Sequence, residues 1–164
     1  MVLEELRAPI QHLRTLPIEL AELYDLHPLE ELLRPPAAGG FALCEHVWHL
    51  AELESEAWVA RVERVLAEQS PQLPDFDGAQ RAREGGYRAR DPGEGLIAFT
   101  RARRGLIERL RKLNAQQLAR VGELEGVGPL ELRALVARVL AHDDEHRAQA
   151  RALSRELLAS RPGS

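Results

Sequence analysis

Two of the six histidines in this chain, His142 and His146, lie four residues apart in the stretch LAHDDEHRAQ, residues 140–149. On an α-helix that spacing projects both imidazoles from one face, about one turn apart. At about 100° per residue, Leu135, Val139, Leu153 and Leu157 point within about 60° of the same direction, so the pair sits in the middle of an apolar stripe. Imidazole nitrogens placed in hydrocarbon need partners, and a divalent metal satisfies one nitrogen of each ring at once. Buried histidines bonded to carboxylates would satisfy them equally. A third ligand has two candidates in EHVWHLAE, residues 45–52. His46 occupies the stripe of Leu43, Leu50 and Leu53, whereas His49 lies about 60° to one side, near Glu45, Glu52 and Glu56. Helical phase does not choose between them, because an edge position suits an open site and a core-centred histidine can simply pack. His12 and His27, near prolines and outside any inward stripe, are expected to be exposed.

These residues need helices to hold them. Aromatics make up 4% of the chain and alternating β-branched runs are nearly absent, an all-α composition. Proline and glycine clusters at 34–40, 70–95 and 122–129 divide the chain into four helical stretches. The first spans about 3–33 and is interrupted by Pro9, Pro17 and Pro28, with Thr15 as a cap for a main segment beginning near Pro17. The second spans about 42–69 and carries the ladder Leu43, His46, Leu50, Leu53, Ala57, Ala60. The third starts near Pro92 and reads Leu96, Phe99, Arg103, Leu106, Leu110, Leu113. The fourth starts near Pro129, a favourable first helical residue, and reads Leu132, Leu135, Val139, His142, His146, Leu153, Leu157. Four such helices predict a four-helix bundle, with a long connection between the second and third.

At 164 residues the chain has the length of a single domain, 1–164, and can bury about 70% of its unfolded surface without a structural metal. A composition 45% apolar and 29% charged is globular. The only cysteine, Cys44, excludes an internal disulfide framework and cysteine-rich zinc sites, and suits a reducing cytoplasm. Charged residues interrupt the first 25 positions and no run of 18 apolar residues occurs, so neither a signal peptide nor a membrane span is expected. The net charge is −4 and the arginines are dispersed among glutamates, which argues against nucleic acid as a partner.

The segment FALCEHVWHLAELE, residues 41–54, resembles the second-helix signature of the DinB-like domains, in which a histidine precedes Leu-Ala and an acidic residue follows. LAHDDEHRAQ is similar to their fourth-helix signature, and residues 74–94 resemble the linker of one branch of that family. The resemblance covers about residues 16–158. It implies a four-helix bundle holding a divalent metal near one end through three histidines, with a water position left open. Carried over residue by residue, the ligands would be His49, His142 and His146, and it is this resemblance that prefers His49 to His46. Glu145 and Ala148 stand where many members have a histidine and a glycine. The family includes thiol-dependent transferases, isomerases and hydrolases, so membership alone names no substrate.

Three neutral imidazoles on Zn2+ or Ni2+ leave a charge of +2 and an open coordination place, a site suited to Lewis-acid work. Such a centre lowers the pKa of bound water to about 7 for hydrolysis, or holds a small thiol as thiolate for transfer. Asp143, Glu145, Glu45, Glu52 and Glu56 are candidates to orient the outer imidazole nitrogens, although each is more simply a solvated carboxylate. A di-iron site is excluded, since Val139 and Asp143 occupy the places three before the two histidines. Cys44 points about 140° away from His49 and reads as a packed residue, not a nucleophile. The expectation is a metal-dependent hydrolase or thiol transferase acting on a small molecule. The competing reading is a binding module: a second apolar stripe on the second helix, Trp48, Ala51, Trp58, Val62 and Val65, could face another copy in a homodimer.

Overall fold

The computed structural model describes residues 2–162. The first helical stretch divides into α1 (Glu4–Leu13), α2 (Thr15–Leu26) and the single turn α3 (Leu29–Leu32). Pro9 lies inside α1, and α2 begins at Thr15 itself. Thr15 caps nothing; its hydroxyl donates back to the His12 carbonyl at 2.8 Å across the break. The second stretch runs as α4 (Leu43–Glu52), a π-helical segment (Leu53–Trp58) and α5 (Val59–Ala67). Ser55 explains part of this widening, because its hydroxyl donates to the carbonyls of Ala51 and Glu52 and competes with the backbone ladder there.

The long connection is structured. It contains β1 (Gln72–Leu73), α6 (Gly78–Glu84) and a 3-10 turn (Tyr87–Ala89), and α6 packs on α4. Then follows α7 (Pro92–Leu110), started by Pro92 in its first turn and capped by the Asp91 carboxylate, which accepts from the Glu94 N–H at 2.8 Å. The short α8 (Ala115–Leu118) leads to β2 (Val121–Leu124), β3 (Gly128–Glu131) and the long α9 (Leu132–Ala159). β1 pairs parallel with β2, and β2 pairs antiparallel with β3. The expected helix start near Pro129 is therefore wrong by three residues. Gly126, at φ +74°, turns the chain into a hairpin, and Pro129 lies on the edge strand of the sheet, where a residue without an N–H is tolerated.

α1 and α2 pack against α7 and α9, and α4 packs against the same two helices, so the first and second stretches lie diagonally across a four-helix bundle. The second apolar stripe finds its cover inside the chain. Trp48, Ala51, Trp58, Val62 and Val65 are all buried, with the Trp48 indole N–H donating to the Asp91 carbonyl and the Arg90 guanidinium stacked 3.3 Å from the ring centroid. That stripe offers no face to a second copy.

Apolar side chains form two layers. One contains Leu13, Leu53, Trp58, Leu106 and Val139; the other contains Leu16, Leu43, Leu50, Phe99 and Leu153. A polar layer separates them. At its centre Arg103 of α7, 2% exposed, uses all five of its N–H groups. It donates to Glu54 at 2.5 and 3.1 Å, to Asp143 at 2.6 and 2.8 Å, and to the Leu13 carbonyl at 2.8 Å, where the α1–α2 break frees that oxygen. One side chain thus ties together all four helical stretches. Replacing Arg103 by Met is expected to cost about 3–5 kcal/mol in urea unfolding, because two buried carboxylates lose their counter-charge. Arg101→Met, an exposed change on the same helix, should stay within about 0.5 kcal/mol of wild type.

Candidate metal centre

The same polar layer holds the histidines. α9 delivers His142 and His146 one turn apart, and α4 delivers His49 from the facing helix. His142 Nε2 lies 3.3 Å from His49 Nε2 and 3.1 Å from His146 Nε2, and one ring nitrogen from each of the three falls within 4.8 Å of the others. His49 and His146 are buried and His142 is partly so. His142 and His146 belong to the middle of the 28-residue α9, so the cluster lies at the waist of the bundle and not near one end as expected.

Local packing fixes these rings. Phe41, just ahead of α4, lies against His46, His49 and His146, with ring centroids 5.6, 5.3 and 6.3 Å away. Phe76 approaches His49 from the long connection, and Trp58 approaches His142. Gly78, at the start of α6, sits so close to His49 that a Cβ there would be 2.3 Å from the ring carbon Cε1. Only glycine permits that approach.

His46 does not compete with His49 for the cluster. It is 1% exposed and meets His146 from the other side, Nδ1 to Nδ1 at 2.7 Å. The Nδ1 atoms of His49 and His142 are buried without a hydrogen-bond partner among the described residues. None of the five carboxylates considered from the sequence fills that role. Asp143 is consumed by Arg103, Glu45 closes the α4 N-terminus by accepting from the Ala42 N–H, Glu52 pairs with Tyr87 and Arg90, Glu56 pairs with Arg81, and Glu145 is exposed. Asp143 is thus buried and paired, contrary to the solvated carboxylate expected. His27 is also buried instead of exposed, between Glu31 at 2.6 Å and Ser154 at 2.7 Å, while His12 is half-exposed beside Asp144. The Phe41 and Gly78 contacts have no signal in the sequence, because they depend on how the connection folds back.

Burial and mutual repulsion hold the imidazoles neutral. Removal from water, with the nearby His142, pushes His46 down to about 4; the same burial, with His142 and His46, pushes His49 down to about 3. His142 and His146 are lowered as well, chiefly by burial. A neutral imidazole is the form that ligates a metal.

The sequence profile of the DinB superfamily matches residues 12–150. The chain belongs to the DinB superfamily. The solved structure of YfiT from Bacillus subtilis, described as a probable metal-dependent hydrolase with an unusual four-helix bundle topology, superimposes with a TM-score of 0.85. The match covers 96% of this chain and 90% of that one at 22% identity, and at that identity it shows a shared fold. No curated protein matches the chain. Among the described residues of this DinB-superfamily chain, no helix is long and apolar enough to cross a membrane.

The lowered histidine pKa values fix the sign of a pH dependence. Imidazoles that titrate near 6.5 when unfolded and near 3–4 when folded bind fewer protons in the native state. Their contribution to stability is complete above pH 6.5 and is lost as pH falls from there towards 4. Metal-free protein should lose stability with a slope approaching about 1.4 kcal/mol per pH unit for each such imidazole, measured by urea unfolding between pH 7 and 4. His46→Asn should flatten the profile.

Proposed function

We propose that His49, His142 and His146 bind one divalent metal ion, Zn2+ or Ni2+, and that the protein is a metal-dependent hydrolase of a small-molecule substrate. The observation that carries this reading is the spacing of the Nε2 atoms. Nitrogens bound about 2.1 Å from a common ion are roughly 3.0–3.4 Å apart, and the two closest pairs stand at 3.1 and 3.3 Å. The donor set fits the ion in protonation state as well, because burial lowers the pKa of all three imidazoles and keeps them in the neutral form that ligates a metal.

When bound, such an ion supplies Lewis acidity at an open coordination place. The protein's own residues fix the geometry around it. Phe41, Phe76 and Trp58 pack against the flanks of the imidazoles, while the Arg103 network holds the backbone next to His142 through Asp143. Among the described residues no carboxylate hydrogen-bonds to the three rings, so none of them diminishes the charge of the ion as an ionised outer partner.

A thiol-dependent transfer is the second reading. Such chemistry would require a low-molecular-weight thiol, because the protein's own Cys44 is buried and its thiol is pushed up to about 11, chiefly by burial. A reducing cytoplasm, which suits this lone thiol, is the compartment we assign. The loss of the outward stripe on the second helix removes the sequence argument for a homodimer.

Zinc titration of His49→Ala, His142→Ala and His146→Ala, beside urea unfolding, tests the site. Each variant should lose zinc affinity by orders of magnitude and remain folded; unchanged affinity in all three would eliminate the three-histidine centre. Gly78→Ala should also weaken zinc binding, because the new methyl group displaces the His49 ring. Chelation of wild-type protein should abolish hydrolysis of its substrate and leave far-UV helicity intact, since the apolar layers do not depend on the ion.

A further inference from the structure

His46 lies outside the three-histidine cluster, yet no other group in the described structure reaches a far-side nitrogen of that cluster by hydrogen bond. The contact is Nδ1 to Nδ1 at 2.7 Å, and both rings are buried. A hydrogen bond between two imidazole nitrogens needs one donor and one acceptor, so one of the two carries the proton. The choice decides what His146 can do. If His46 donates, neutral His146 carries its proton on Nε2, the nitrogen that faces His142 at 3.1 Å, and that lone pair is lost to coordination. If His46 accepts, His146 carries its proton on Nδ1 and presents a free Nε2 lone pair to the cluster.

Resting on the three-histidine reading, we propose that His46 is a positioning residue, which accepts the Nδ1 proton of His146 and thereby fixes that ring in its metal-binding tautomer. A carboxylate or a backbone carbonyl serves this purpose at many metal sites. Here the acceptor is a neutral ring held in place by Phe41, whose centroid is 5.6 Å away in an edge-on arrangement. The assignment separates the three ligands. His146 is anchored by a built acceptor, whereas the buried Nδ1 atoms of His49 and His142 have none among the described residues. It also accounts for a histidine in the centre of an otherwise apolar stripe. A leucine at position 46 would continue the pattern of Leu43, Leu50 and Leu53 but would leave His146 free to take the wrong tautomer.

Two substitutions isolate the hydrogen bond from the packing. In His46→Asn the side-chain oxygen replaces Nδ1 as an acceptor, and in His46→Leu the volume is filled with no acceptor. Competition titration with Zn2+ should show His46→Leu weakened 10- to 100-fold, with His46→Asn restoring most of the loss. The visible spectrum of Co2+-loaded protein should shift in His46→Leu and be close to wild type in His46→Asn. In Zn2+-loaded wild-type protein labelled with 15N at histidine, His46 should be protonated on Nε2 and His146 on Nδ1.

Equal affinity of His46→Leu and wild type would overturn the proposal, as would equal weakening of both variants, which would reduce His46 to packing. A proton on Nδ1 of His46 in the labelled wild type would overturn it too, and that measurement holds even if His46→Leu does not fold. Wild-type protein that binds neither Zn2+ nor Co2+ would remove the three-histidine reading itself and this inference with it, an outcome distinct from the others.

Discussion

The buried guanidinium of Arg103 is the interaction around which this bundle is arranged. An arginine withdrawn from water is tolerated only when its charge is balanced and each N–H has an acceptor, and both conditions are met by groups from different parts of the chain. Glu54 reaches it from a helix that has widened into a π segment, and the Leu13 carbonyl reaches it from a helix that has broken. Two irregularities that a helical pattern would treat as defects thus serve one polar contact. Asp143, the third contributor, immediately follows His142, so the arginine also fixes the stretch of α9 that presents the histidines.

Placing charged and titratable groups between two apolar layers weakens a core that could have been continuous. Apolar side chains of similar volume often match or exceed the stability of a buried ion network. The bundle retains the polar layer and arranges the histidine cluster beside it, a pattern that fits selection for a site over selection for packing. The imidazoles, kept neutral by burial, keep their lone pairs without competition from protons near neutral pH.

The long connection between the second and third helices helps to form a cavity of about 520 Å3, lined by Phe41, Ala82, Tyr87, Arg83 and Arg88, and Phe41 also lies against His46, His49 and His146. The Phe41 ring is therefore the wall shared by cavity and cluster. At 22% identity the likeness to YfiT describes the bundle and not the lining of this cavity.

Much of this was legible in the sequence. Leucine spacing at threes and fours defined four amphipathic stretches, because a helix must bury one stripe, and the breakers marked their ends. The inward direction of His142 and His146 followed from the same arithmetic, since both lie on one uninterrupted helix. The choice between His46 and His49 did not follow, because both lie near the inward face of α4. Which ring nitrogen meets which partner depends on the position of α9 across the bundle. The pairing of Asp143 with Arg103, the burial of His27 beside Ser154 and the cover over Trp48 likewise join residues 40 or more positions apart. Local periodicity tells a side chain which way to point along its own element; only the packed bundle decides what it meets there.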